Sequence, residues 1–165
     1  MVDSDYFKYK MWADKRALAA SKKIDRRHYS DDFAFVCQQF NHMVIVEELF
    51  RSRLEGTPAP HCATNTEDVP CLDELASRLV CSGNWYLRFI ELEADFQKTI
   101  SFTFADGKQG TMTVQEILFH IVNHGSYHRG NIARTLDQAG VPHPIDGYGA
   151  FIHESEPARR NQSTT

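Results

Sequence analysis

The segment from Thr113 to Gly140 constrains the fold most strongly. Thr113-Val-Gln-Glu116 has the form of a capping box, in which the threonine hydroxyl and the glutamate carboxylate each satisfy a backbone N–H at a helix start. Behind it, Ile117, Ile121, His124, His128 and Ile132 recur at three- and four-residue steps. That is one apolar stripe of a helix, closed by Gly140 and prevented from continuing by Pro142. Two of the stripe positions are imidazoles. Four residues overshoot a full helical turn by about 40°, so His124 and His128 stand one above the other. Burying two unpartnered imidazoles costs about 1–3 kcal/mol each, and a shared divalent ion removes the difficulty.

Three more helical stretches precede this one. Residues 5–24 carry Tyr9, Ala13, Ala17, Ala20 and Ile24 on one stripe, small enough for another helix to approach closely. Residues 31–55 carry Phe35, His42, Val46 and Leu49, widened by Phe40 and Val44, with Ser30 as the expected N-cap and Gly56 as the stop. Residues 71–99 carry Leu72, Leu75, Leu79, Tyr86, Phe89 and Phe96. The irregular stretch 56–70, with Thr57-Pro58-Ala59-Pro60, is long enough for a crossover. Ser101–Phe104 and Gly110–Thr113 flank the turn signal Asp106-Gly107 and predict a short hairpin before the fourth helix. Residues 143–153, with Ile145, Tyr148, Phe151 and Ile152, read as a short docking segment. The polar residues 154–165 read as a frayed tail behind a single domain of residues 1–153. Four amphipathic helices with extended connections predict an all-α four-helix bundle.

His42 is the remaining histidine deep within a helical pattern outside the fourth helix. Three imidazoles from two facing helices, His42, His124 and His128, can converge in a bundle core on one divalent ion such as Zn²⁺, Ni²⁺, Mn²⁺ or Fe²⁺. His120 lies about 80° around the helix from His128 and is read as a pocket wall beside the ligands, and otherwise as a surface residue. His28, His61, His143 and His153 fall in connections or the tail and are read as solvated. A metalloprotease helix would need glutamate directly after the first histidine, where this chain has Gly125. Gly125 and Gly130 point to a close neighbour, ordinary packing being the favoured account of Gly130. Arg129 is read as an ion-pair or interface residue. No carboxylate shares the face of His124 and His128, so the residues identify no general base, His120 being the nearest to one. The four cysteines lack a C-x-x-C pair, and Cys37 and Cys81 are expected in the core.

The net charge of −4 argues against a nucleic-acid partner, which would require a basic face. Short apolar runs argue against membrane insertion, and the acidic N-terminus argues for a cytoplasmic location.

Tyr9-Lys-Met-Trp-Ala-Asp-Lys-Arg16, Phe40-Asn-His42-Met43 and His120-Ile-Val-Asn-His124-Gly-Ser-Tyr-His128-Arg-Gly-Asn-Ile132 together resemble the DinB family of damage-inducible proteins, with order and spacing matching across about residues 5–153. The resemblance implies a bundle of DinB/YfiT type, a homodimer, and a divalent metal held by His42, His124 and His128. It also implies chemistry on low-molecular-weight thiols such as mycothiol or bacillithiol, or metal-dependent hydrolysis. Asn131 departs from the glutamine that often follows His-Arg-Gly in the family. Two functions are therefore expected to compete: a metal-dependent enzyme acting on a small electrophile, and a stress-related protein in which the ion is structural. A nucleic-acid-binding damage factor is disfavoured by charge.

Overall fold

The four helical stretches become four long helices. The computed structural model describes residues 4–104 and 107–159. Its elements are α1 (Ser4–Ser21), α2 (Ser30–Glu55), α3 (Leu72–Leu92), β1 (Thr99–Thr103), β2 (Gln109–Thr113), α4 (Val114–Gln138) and α5 (Tyr148–Ser155), followed by a 3₁₀ turn at Pro157–Arg159. α1 packs on α3 and α4, and α2 packs on the same two helices. The chain is therefore mostly helical, with a small antiparallel sheet in which Ile100 faces Met112 and Phe102 faces Gly110. Asp106 of the expected turn lies outside the described residues; Gly107 has the positive φ of 84° that such a turn requires. Among the described residues no helix is long and apolar enough to cross a membrane.

Hydrophobic burial separates into two clusters. One gathers Ala17, Ile24, Val36, Phe40, Leu75, Leu79, Ile132 and Leu136. The other gathers Phe7, Val46, Phe50, Tyr86, Ile90, Phe102, Ile117 and Ile121. Each long helix contributes to both, and near the change from one to the other each carries polar residues. These are Lys10 and Asp14 on α1, His42 on α2, Ser82 on α3, and His124, His128 and Arg129 on α4. A polar layer thus crosses the middle of the helices between two apolar layers.

Capping follows the sequence in part. Thr113 Oγ1 accepts from the Glu116 N–H at 3.2 Å, and the Thr113 N–H donates to Glu116 Oε2 at 2.8 Å, completing the expected box. Gly56 closes α2 in the left-handed conformation, φ 68°, with its N–H directed to the carbonyls of Arg53 and Ser52. Ser30, expected as the N-cap, is instead the first helical residue; Tyr29 occupies the cap and supplies no side-chain hydrogen bond.

Other expectations are corrected. α3 ends at Leu92, not residue 99, because the Asp95 carboxylate captures the Gln97 N–H at 3.0 Å in a turn and the chain then enters β1. Phe35 is exposed: the buried face of α2 runs through Val36, Phe40 and Val44, and one residue earlier lies about 100° away. Cys37 is buried, but Cys81 is exposed for the same reason, being one residue off the face formed by Leu75, Leu79, Ser82 and Tyr86. Ile145 is 70% exposed, and α5 docks instead through Tyr148 and Phe151, whose rings lie 5.6 and 6.1 Å from Tyr9. Helix α5 continues through Ser155, past the expected boundary at 153. Glu154, assigned to the frayed tail, accepts hydrogen bonds from Trp12 Nε1 at 3.0 Å and Arg16 Nη1 at 2.9 Å. Residues 160–165 of that tail lie outside the described residues.

Candidate metal centre

His42, His124 and His128 meet in the polar layer. The Nε2 atoms of His42 and His128 each lie 3.1 Å from Nε2 of His124. One ligand atom from each residue falls within 4.8 Å of the others. A tetrahedral ion with metal–nitrogen distances of about 2.0–2.1 Å spaces its nitrogens by roughly 3.3 Å, so the spacing suits a shared divalent cation. All three side chains are only partly buried, so the cluster opens toward solvent.

The opposite ring nitrogens are anchored. His42 Nδ1 donates to the Thr64 carbonyl oxygen at 2.9 Å. His128 Nδ1 donates to Gln39 Oε1 at 2.7 Å, and Asn131 Nδ2 donates to the same oxygen at 3.4 Å. Both partners of Nδ1 are acceptors, so the proton sits on Nδ1 and the lone pair of Nε2 faces the cluster. Asn131, the departure from the family pattern, still reaches the group that orients His128. Burial, followed by the neighbouring imidazoles, holds His124 well below the usual imidazole range, at about 3. Burial and then His42 hold His128 at about 4. Both rings are therefore neutral at pH 7, as a metal ligand must be.

The irregular connection between α2 and α3 is fastened over this end of α2. Besides Thr64, Thr66 accepts from Asn41 Nδ2 through Oγ1 at 2.7 Å and from Gln38 Nε2 through its carbonyl at 3.2 Å. Farther along α2, Glu48 accepts from Arg78 Nε at 3.0 Å and also pairs with His61. His61 is thus part-buried and bound, not solvated as the sequence reading expects. His28 and His143 are exposed and pair with Asp25 and Asp137 at 2.7 Å each, and His153 is exposed on α5.

His120 sits beside the triad without joining it. Its ring stacks on His124 with centroids 5.4 Å apart and lies 5.1 Å from Phe50. Burial, and then the charge of Arg53, lowers its pKa. It thus stands beside the cluster and is part-buried, not a surface residue.

The sequence reading missed a buried ion network behind the histidines. Lys10, 1% exposed, pairs with Asp14 and Glu47, each at 2.6 Å. Arg129 pairs with Asp14 at 2.8 Å and Asp146 at 2.6 Å, which bears out its reading as an ion-pair residue. Glu47 also accepts from Ser82 Oγ at 2.6 Å. Burial raises the pKa of Glu47, whereas Asp14, with two cations against its carboxylate, is held below the ordinary range despite equal burial. Gly125 gives this network room: a Cβ would stand 3.0 Å from Arg129 Nη1 and 3.3 Å from Lys10 Cε, so those side chains would have to yield. A Cβ on Gly130 would meet nothing within 4 Å, so packing does not explain that glycine.

Comparison with known proteins agrees with the geometry. The family model for the DinB family matches residues 1–161. Protein DinB of Bacillus subtilis (strain 168) is 23% identical over 159 residues, covering 88% of this chain and 91% of that protein. No solved structure matches. The match spans all four long helices and every histidine of the cluster, and the chain belongs to the DinB family.

Proposed function

We propose that this chain is a metal-dependent enzyme built on a four-helix bundle. In it, His42, His124 and His128 hold a divalent ion that activates a low-molecular-weight thiol, or water, toward a small electrophile. One observation carries the reading: three convergent Nε2 atoms, partly open to solvent, form a group that no fourth histidine, cysteine or carboxylate joins among the described residues. Structural zinc sites close with four protein ligands, often thiolates, whereas catalytic sites keep a position free. When bound, such an ion lowers the pKa of a coordinated thiol or water.

The protein's own contribution is orientation. Thr64 and Gln39 fix the planes and tautomers of His42 and His128, which leaves these rings as ligands and not as proton carriers. His120, kept neutral by burial beside the cluster, is the adjacent imidazole able to accept a proton. The two apolar clusters and the ion network join the helices through residues other than the three histidines, which favours catalysis over a structural role.

Metal analysis of purified protein, followed by thermal-shift screening with glutathione, mycothiol and bacillithiol, tests the proposal. The expected result is about one ion per chain, lost in His42→Ala and His124→Ala, and a thiol that stabilises only the metal-loaded form. Full metal occupancy in both variants refutes the triad. Unfolding on chelation, with no thiol response, favours the structural ion. The family resemblance also carries a homodimer, which light scattering tests.

A further inference from the structure

Arg53 has no acidic partner among the described residues. Its side chain is part-buried near the C-terminal end of α2, with the guanidinium 4.6 Å over the Phe50 ring and 4.1 Å over the Phe102 ring. Its one hydrogen bond among the described residues runs from Nη2 to the Thr103 carbonyl oxygen at 3.3 Å. No carboxylate among the described residues lies within ion-pair distance of it. The contrast with its neighbours is plain: Arg51 pairs with Glu55, Arg78 with Glu48, and Arg129 with two aspartates. Guanidinium carries five N–H donors in a planar fork that suits carboxylate or phosphate, and most of that fork is unclaimed here.

The position of this cation gives it meaning. Phe50 touches both Arg53 and His120, and His120 stacks on the cluster residue His124. The series Arg53, Phe50, His120, His124 is therefore a continuous wall leading from the guanidinium to the three Nε2 atoms. His120 stands one turn before His124, about 6 Å along α4, so the wall runs along the helices away from the cluster. Phe104, 39% exposed and 4.7 Å from Phe102, continues the aromatic rim at the Arg53 end.

We propose that Arg53 is the anion-recognising residue of the substrate site, taking a carboxylate or phosphate group of a small molecule whose donor atom faces His42, His124 and His128 and whose body lies along His120 and Phe50. The proposal rests on the metal-enzyme reading and narrows its substrate to acidic thiols or comparably acidic small molecules. Charge-assisted forked bonding to the guanidinium is worth roughly 10–100-fold in affinity.

Glutathione and its diethyl ester carry the same thiol and differ in carboxylate charge. Titrated into cobalt-loaded protein and followed by the thiolate-to-metal absorption band, glutathione is expected to bind at least about 10-fold more tightly than the ester. Arg53→Gln should bring the ratio near one, with metal stoichiometry and ester affinity unchanged, and Arg53→Lys should retain part of it. Equal affinity in the wild type, or an undiminished preference in Arg53→Gln, overturns the assignment. If neither thiol alters the cobalt spectrum, the thiol-activation reading fails separately, and calorimetry with S-methylglutathione, which has no free thiol, decides the subsite. Binding that is lost in Arg53→Gln supports it; no binding to the wild type overturns it.

Discussion

Arg129→Met tests whether the buried ion network holds α4 in place. Arg129 is 2% exposed and serves Asp14 Oδ1 at 2.8 Å, Asp146 Oδ2 at 2.6 Å and Ser126 Oγ at 3.1 Å. Removing one partner of a buried ion pair costs about 3–5 kcal/mol, because the other charge remains buried. Two features place this case at the low end. Asp14 keeps Lys10 at 2.6 Å, and Asp146, whose side chain is 24% exposed, can turn to water. Methionine fills much of the volume of the aliphatic stem, so packing adds little. The expected loss is therefore about 3 kcal/mol, or roughly 6–12 °C in Tm for a domain of this size. Arg129→Lys should recover only part, since a point charge cannot span both carboxylates. The pH dependence has a definite sign. Asp14, buried but held below its ordinary 3.8 by Lys10 and Arg129, contributes stability that is present above that value and lost as pH falls through its folded pKa. The deficit of the variant should thus be full at neutral pH and shrink in acid. Urea melts of the chelated protein across that range measure it. A loss below about 1 kcal/mol at neutral pH, or full rescue by lysine, refutes the reasoning.

Gln39→Leu removes the acceptor of the His128 Nδ1 proton and should weaken metal binding about 10–100-fold, with the ion still stoichiometric at saturation; an unchanged Kd by competition with a chelator would contradict this. Thr113→Ala abolishes the capping box and should destabilise the protein by about 1 kcal/mol in urea melts while leaving the metal affinity intact; destabilisation with loss of the ion would show that the cap also governs the site. The metal-free protein should lose stability as pH falls from about 6.5 toward 4, because the unfolded chain takes up protons at His124 and His128 in that window and the folded chain resists until about 3 and 4. The His124→Leu/His128→Leu variant should flatten the dependence; an equally steep slope in it would assign the effect elsewhere.

The histidine cluster was legible because each member interrupts an apolar stripe at helical spacing, where an imidazole needs a reason to be. The groups that serve the cluster were not. Thr64 acts through a backbone carbonyl, and its position depends on how an irregular connection lies across α2. Gln39 is three residues before His42 on the same helix, a spacing compatible with an ordinary surface residue. Lys10 and Asp14, opposite charges at i and i+4, have the pattern of a solvent-exposed pair; only the arrival of Glu47 and Arg129 from two other helices makes that pair a buried one. The misplaced stripe member Phe35 has a simpler cause. A reading of periodicity that errs by one residue turns a side chain about 100° out of the core.

That same 100° step explains how α4 carries two unrelated polar functions side by side. His124 and His128 form one i, i+4 pair, and Gly125 and Arg129 form another, displaced by one residue. The first pair faces α2, where His42 and Gln39 meet it. The second faces α1, where the absent side chain of Gly125 leaves room for Lys10 and for the Arg129 guanidinium on its way to Asp14. Turning α4 by one residue would carry Arg129 toward the His42 side, leave Asp146 without its cation and leave Asp14 with Lys10 alone. The ion network therefore penalises every rotation that would misdirect the histidines, and it does so without ligating anything. On this account, Gly125→Val should act at a distance. By pushing on Lys10 and Arg129 it should lower metal affinity through a rotated α4, although every histidine, Thr64 and Gln39 remain in the chain. Metal titration of that variant against Gly130→Val, whose added Cβ meets nothing within 4 Å, separates the effect from a general loss of glycine. Equal affinities in the two variants would detach the ion network from the metal centre.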